Sequence, residues 1–332
     1  MVKTPRAIWR RIAEIAAQSP STHNTQGWRV RVESERTAVL FYDRERTLPA
    51  EDVNGDFNII NMGIFVRGME IGAAAHGLRL TWSYALDESE DGASYVRVAR
   101  LALDAGDDKH SAPLLTPFLL RRTSRIPYDG RPVDSQAMGD LRALARERGH
   151  RFGWTQDPES VRWLMELNAE TIADDLQVPA IRQELHRWMR FTRREAELKA
   201  DGLWTACLNE NSGLAWYMTR APQILRLNFV RRTLRNSYLG AQAGTPAIGW
   251  IAGDIRTREQ QFAAGCFLLD FWVRLTAWGL YIMPYGSLYT NSQSNKEVGL
   301  DTGDPDFWMI FLMGYGPVPP KSFRLPIEHL IM

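Results

Sequence analysis

Ser19-Pro20-Ser21-Thr22-His23-Asn24-Thr25-Gln26-Gly27-Trp28 is the stretch on which the reading of this chain turns. It joins a helix-like segment to a strand-like one. Ser21, Thr22, Asn24 and Gln26 place hydroxyls and two primary amides within six residues. Amides both donate and accept hydrogen bonds, so such a loop can wrap a flat heterocycle with a polar edge. Pro, Ser and Asn are also ordinary turn residues, and taken alone the stretch reads as an elaborate turn.

On its N-terminal side, Thr4 and Pro5 mark a helix start, and Ile8, Ile12 and Ile15 fall on one helical face. On its C-terminal side, residues 28–32 alternate apolar and polar, the pattern of a half-buried strand. A second strand is expected at 38–42. Residues 43–49 are charged and read as a solvated turn. Residues 56–78 predict a long apolar helix carrying Gly63, Gly68 and Gly72. Each glycine costs ~1 kcal/mol relative to alanine in a helix, so this helix needs close approach to another helix, a buried cofactor or a subunit face. Strands are expected at 79–86 and 94–103.

A repeat follows. Gly63-Ile64-Phe65 and Gly77-Leu78 recur as Gly265-Cys266-Phe267 and Gly279-Leu280, all at an offset of 202 residues. Each helix runs into strand-like sequence, with a further strand at 94–103 or 307–313. The chain therefore divides into two related halves, 1–105 and 115–332, joined by a polar linker. The second half carries a helical or lid-like insertion over about 155–240, whose aromatic part (Trp204, Trp216, Tyr217, Phe229, Tyr238) suits either a lid or an extra packed layer. Internal symmetry of this kind constrains the fold, and the mixture of elements predicts an α+β sandwich with mixed or antiparallel sheets and helices on both faces.

Arg121-Arg122-Thr123-Ser124-Arg125 is the strongest local electrostatic signal. Guanidinium groups give bidentate, charge-assisted bonds to phosphate oxygens, and hydroxyls fill the remaining acceptors. An exposed basic turn has the same composition. Pro20-Ser21-x-x-Asn24-x-Gln26-x-Trp28 resembles the flavin loop of the nitroreductase family, with Gly27 where a second proline is usual. Arg121-Arg122-Thr123-x-Arg125 is similar to that family's phosphate motif, with Thr123 for the usual serine. The order is inverted: here the loop lies in the first half and the arginines in the second. Residues 43–49 resemble a segment of a mycobacterial branch of the family, the Acg-type proteins.

The resemblance implies a nitroreductase-like fold with two pseudo-symmetric halves and one composite FMN site per chain. It assigns cofactor contacts to Pro20, Ser21, Asn24, Gln26, Arg121, Arg122, Thr123 and Arg125, to Gly286 within Met283–Ser287 beside the flavin ring, and to Lys321 or Arg324 at the phosphate. The catalytic chemistry would be the flavin's, with His23 and Tyr285 as candidate proton donors. NAD(P)H is the expected electron donor, and a nitroaromatic or quinone-like acceptor the expected small-molecule substrate, by a ping-pong route. The alternatives are a closed-lid FMN-holding protein with little NAD(P)H turnover, or an oxidase or flavin-modifying enzyme on the same scaffold.

Composition bounds the rest. The chain has 332 residues, 45% of them hydrophobic, with net charge +1. That balance suggests neither a nucleic-acid nor a membrane partner. Cys207 and Cys266 are far apart, so neither a disulfide framework nor a cysteine metal site is expected. No apolar run reaches the ~18 residues of a membrane span, and the polar N-terminal helix does not read as a secretory signal. A cytoplasmic protein, either a monomer with an internal pseudo-dimer or a weak homodimer, is the expectation. Dinucleotide fingerprints, P-loops, H-E-x-x-H and G-x-S-x-G are absent from the sequence.

Overall fold

The structure, a computed structural model, describes residues 5–87, 94–220 and 228–332. Thr4, read above as a helix cap, and residues 221–227 of the aromatic insertion lie outside the described residues. The first half contains α1 (Pro5–Ala16), β1 (Trp28–Val32), β2 (Thr37–Asp43), α2 (Asp56–Ala74), β3 (Leu78–Asp87) and β4 (Tyr95–Ala105). Then come α3 (Leu115–Leu120), α4 (Ser135–Glu147) and β5 (Arg151–Thr155). The insertion holds α5 (Pro158–Asp175), α6 (Pro179–Trp188), β6 (Met189–Arg190), α7 (Arg193–Lys199), β7 (Leu203–Trp204), α8 (Thr205–Leu208), α9 (Ser212–Arg220) and α10 (Asn228–Ala241). The chain continues through β8 (Ala247–Ala252), α11 (Arg258–Ala277), β9 (Tyr281–Pro284), α12 (Gly286–Thr290), α13 (Ser292–Thr302) and β10 (Phe307–Gly314).

Two four-stranded sheets have the same plan. One runs β1-β2-β4-β3 and the other β5-β8-β10-β9, each antiparallel throughout. In both, a long helix follows the second strand of the series: α2 after β2, and α11 after β8. The expected antiparallel α+β architecture is therefore present, with a repeat at the level of topology. The region between 105 and 117, expected as a plain linker, ends in a 3₁₀ turn (Ala112–Leu114) that leads into α3.

α2 and α11 pack backbone against backbone. A Cβ placed on Gly63 would lie 1.9 Å from the Phe262 carbonyl oxygen, and one on Gly265 would lie 2.0 Å from the Ile60 oxygen. The two contacts are reciprocal: Phe262 follows Ile60 by 202 residues (262 − 60), as Gly265 follows Gly63. Cys266 donates its Sγ–H to the Gly63 carbonyl at 3.3 Å. Of the three partners that the α2 glycines allowed, another helix is the one found. Gly72 serves α1, where a Cβ would sit 2.8 Å from the Ile12 oxygen.

This arrangement explains why α2 has no polar face. Ile59, Met62, Phe65 and Met69 pack with α1 and the first sheet. Phe57, Ile60, Ile64 and Ile71 pack with α11 and the second sheet. A helix that is apolar all round is one buried all round.

After β10 the chain crosses back to the first sheet. Val30 N–H donates to Leu330 O at 2.7 Å and Met332 N–H to Val30 O at 2.9 Å, forming a short parallel bridge at Val30 and Ile331 on the outer edge of β1. The start of α4 is also well specified: Asp134 accepts from Ala137 N–H.

Gly63→Ala should therefore be severely destabilising, by about 3 kcal/mol or more, because backbone on both sides leaves no rotamer that relieves the overlap. Gly139→Ala, in the exposed middle of α4 with open space around it, should instead stabilise by roughly 0.5–1 kcal/mol. Urea unfolding of the two variants against the parent measures both signs.

Candidate functional site

The loop from Ser19 to Trp28 is strained and heavily braced. His23, Asn24 and Gln26 have φ of 49°, 54° and 52°, left-handed values for residues that carry side chains. Each costs roughly 1–2 kcal/mol. The bracing comes from the residues that looked like ligand donors. Ser21 Oγ accepts from Gln26 N–H at 3.0 Å. Asn24 Nδ2 donates to Gly202 O and Phe323 O, both at 3.2 Å, and its Oδ1 accepts from Arg324 at 3.0 Å. Gln26, fully buried, donates to Ala200 O and accepts from Leu325 N–H, both at 2.9 Å. Both ends of that amide are thus used inside the protein. Trp28 closes the loop by stacking on Phe65, rings 4.7 Å apart.

The loop is tied to the insertion by a buried ion cluster. Asp201 takes both Nη atoms of Arg46 at 3.0 Å and Arg190 at 2.6 Å. Arg46 also donates to Thr25 O at 2.6 Å. The 43–49 segment, expected as a solvated turn, is structural: Asp43 is buried and pairs with Arg29 at 2.7 Å, and Arg46 reaches across to the insertion. Glu184 of α6 adds a further tie, accepting from Ala50 and Glu51 N–H at 3.0 and 2.9 Å.

The arginine segment leaves α3 and runs beside β9. Thr123 bridges to Ile282, and Ser124 N–H donates to Ile282 O at 3.0 Å. This brings Arg121, Arg122, Thr123 and Arg125 onto one small pocket of about 80 Å³, together with Pro20, Ser21 and Asn24 from the loop and Lys321 and Arg324 from the crossing C-terminal segment. Five cations line it and, among the described residues, no carboxylate does. None of the five makes an ion pair among the described residues.

Arg121 is buried against the Trp272 ring, 4.5 Å from its centroid, with Nε and Nη1 lacking any hydrogen-bond partner; Arg324 Nε lacks one too. Burial, then Arg324 and Arg122, hold Arg121 well below the usual guanidinium range. Burial and then Arg122 bring Arg324 down to about 10. Burial and then Arg122 also lower Lys321. Like charges held together without a counter-charge are costly, and an anion would relieve all of them at once.

The pocket shares Pro20, Ser21, His23, Thr123, Arg125 and Leu203 with a cavity of about 870 Å³. Its inner wall comes from α2, Trp272 and Met283–Ser287, and its outer wall from α5, α6, α9 and α10. Gly286 is on the inner wall. Tyr285 is there too, buried, donating its hydroxyl proton to Gln242; burial keeps that phenol far from ionising. His23 stands where the two spaces meet, its Nε2 3.1 Å from Glu51 Oε2. The aromatic insertion is thus helical and forms a cavity wall.

Several polar residues of this site carried no sequence signal: Asn61, which accepts from Thr22 N–H at 3.2 Å, and Glu51, Asn168, Asp175 and Glu210 on the cavity wall. Asp201 was equally silent. Among the described residues no group of His, Cys, Asp and Glu is arranged to hold a metal, and no helix is long and apolar enough to cross a membrane.

No family model matches the chain. It is 33% identical over 119 residues to an uncharacterized protein of Mycobacterium tuberculosis, seen in strains H37Rv and CDC 1551 / Oshkosh; the match covers 35% of this chain. The chain spans about a third of the length of these curated relatives, 34%. Among solved structures, it is similar to a nitroreductase with bound FMN from Desulfitobacterium hafniense DCB-2, at 13% identity and a TM-score of 0.37 over 64% of this chain and 93% of that one. It is similar to the FMN-dependent nitroreductase from Mycobacterium smegmatis in complex with NADPH at 15% identity and TM-score 0.36, over 61% and 90%. A provisionally assigned nitroreductase from Anabaena variabilis aligns over 94% of this chain and 74% of its own, at 10% identity and TM-score 0.47.

Asp201→Asn should release the insertion, since removing one side of a buried ion cluster strands the remaining charges at a cost of about 3–5 kcal/mol. The expected result is new tryptic cleavage within residues 193–220 under conditions where the parent stays intact. Unchanged cleavage and an unchanged urea midpoint would show that the cluster does not hold the insertion.

Proposed function

We propose that the chain is an FMN-dependent oxidoreductase of the nitroreductase type, reducing small nitroaromatic or quinone-like acceptors with NAD(P)H. The observation that carries this reading is the pocket lined by five cations and, among the described residues, by no carboxylate, opening into a largely apolar cavity. The residues present fit the cofactor. Arg121, Arg122, Thr123, Arg125, Lys321 and Arg324 supply charge and hydroxyl for a phosphate monoester. Thr22 and Asn61 offer polar contacts at the junction, and the backbone at Tyr285 and Gly286 lies on the inner wall.

The redox chemistry in that site would be FMN's own. The protein's part is to hold, orient and enclose. Helices α5, α6, α9 and α10 cover one side of the cavity. Tyr285, kept neutral by burial, can hold a proton at its hydroxyl, although Gln242 already takes that hydrogen bond. His23, fixed by Glu51, is the other proton-bearing group at the junction. Donor and acceptor would use the same space in turn, which needs no separate nicotinamide fold.

The site is composite in this reading, built from halves 1–105 and 115–332, so one FMN per chain is expected. The α2–α11 contact stands where a dimer interface would otherwise be, which favours an internal pseudo-dimer. A second reading, a closed FMN-holding protein, is favoured by one observation: the insertion is locked to the loop by Asp201, Asn24 and Gln26.

The purified protein, supplied with FMN, should show flavin absorbance near one per chain, and anaerobic NADPH should bleach it. Flavin that dithionite bleaches and NADPH does not would select the holding protein, and an oxidised product formed only under oxygen would select an oxidase. No bound flavin would overturn the proposal. Arg122→Ala should weaken FMN roughly 10- to 150-fold, the worth of one charge-assisted hydrogen bond, while leaving the ligand-free protein no less stable, because Arg122 is a repelling neighbour of Arg324 and Lys321.

A further inference from the structure

The cavity's outer wall carries a charge pattern that FMN binding does not use. α5 turns Asn168, Ile172 and Asp175 toward the cavity, four and then three residues apart on one helical face. Asp175 is the last residue of α5, where the helix dipole is negative and a carboxylate is disfavoured. Its hydrogen-bond partner is neutral, Asn291 Nδ2 at 3.0 Å, and among the described residues no Arg or Lys pairs with it. Burial, followed by the charge of Glu51, pushes its carboxyl up to about 6. Glu51 lines the same cavity and has only His23 as an ion-pair partner among the described residues.

An independent feature on the same wall points the same way. Asn168 is 1% exposed, its Nδ2 donates to Tyr238 at 2.6 Å, and its Oδ1 has no partner. Two of the arginines on this wall are already paired, Arg231 with Asp174 at 2.8 Å and Arg235 with Glu170 at 3.0 Å; Arg232, beside them on the lining, makes no ion pair among the described residues. The unpaired arginines of the cavity, Arg125 and Arg232, face three carboxylates, Glu51, Asp175 and Glu210, and the lining around Asp175 is apolar: Ile172, Leu176, Ile181, Leu185 and Leu214.

We propose that this end of the cavity binds an apolar ring or chain bearing a protonated amine, with the cation seated at Asp175 and Glu51. A cation there offsets the dipole and the carboxylate–carboxylate repulsion together, and the apolar lining takes the rest of the ligand. The inference rests on the cavity being the substrate side of the flavin site, and it narrows the acceptor class from any small aromatic to a cationic amphiphile.

Isothermal titration of the FMN-supplied protein with 4-nitrobenzylamine and 4-nitrobenzoate tests it. The amine should bind at least about 10-fold more tightly near neutral pH, and Asp175→Asn should cut that preference to about 3-fold or less. Glu51→Gln should reduce it in the same direction and serves if the first variant does not fold. Equal or tighter binding of the benzoate, no binding of either probe, or a preference that survives both substitutions overturns the inference. Flavin absorbance on the same samples separates the two readings. FMN bound without an amine preference leaves the oxidoreductase standing and removes the cation site. An amine preference in protein that takes up no FMN supports the cation site and removes the flavin reading.

Discussion

Two helices can approach to backbone contact only where side chains are missing on both, and the α2–α11 crossing is built on that constraint. Gly63 and Gly265 each receive the carbonyl of the other helix. Because the contact is reciprocal, the two sheets lie on opposite sides of one central pair of helices, and each helix has an apolar surface for its own core and for its partner. Arg67 and Asp270 sit beside this crossing as a buried pair at 2.9 Å, with Glu70 and Ser111 completing the guanidinium's contacts. A buried pair of this kind adds little net stability against its desolvation.

The polar loop works differently from its appearance. Amides and hydroxyls between a helix and a strand suggest ligand contacts, yet Asn24, Gln26 and Ser21 Oγ hold the chain itself in place. Three left-handed residues within four positions, His23, Asn24 and Gln26, would relax without those bonds. The loop therefore behaves as a frame. It fixes where the insertion enters, where the C-terminal segment passes, and where the cations converge. The groups left to meet a ligand include the guanidiniums, one lysine, the Thr22 and Thr123 hydroxyls, the Asn61 amide and backbone.

Much of this was legible in the amino-acid sequence, and the parts that were not share a cause. The 202-residue offset reads directly from Gly63 and Gly265, because backbone contact tolerates only glycine and so leaves a mark in the sequence. Strands 28–32, 94–103 and 307–313 follow from apolar patterning, with ends shifted by a residue or two. The arginine segment and Arg324 could be placed near one another only through a family resemblance, since nothing local says that residues 121 and 324 meet. Asp201, Glu51 and Asp175 were invisible because a carboxylate on a charged helix or in a loop looks the same whether it faces water or a cavity. The 43–49 segment misled for that reason: its partners, Arg29 and Asp201, are distant.

The basic pocket is assembled from parts far apart along the chain: Asn24 and Arg324, joined by a hydrogen bond, are separated by 300 positions. Contacts of such long range form slowly, because the entropy of closing the intervening chain is lost before they reward it. The pocket's cations also repel one another as they converge. An anion that binds the native pocket and not the unfolded chain therefore acts on folding as well as on chemistry, pulling the equilibrium toward the closed form by mass action. Any anion held by this pocket would raise the folded fraction by that same linkage.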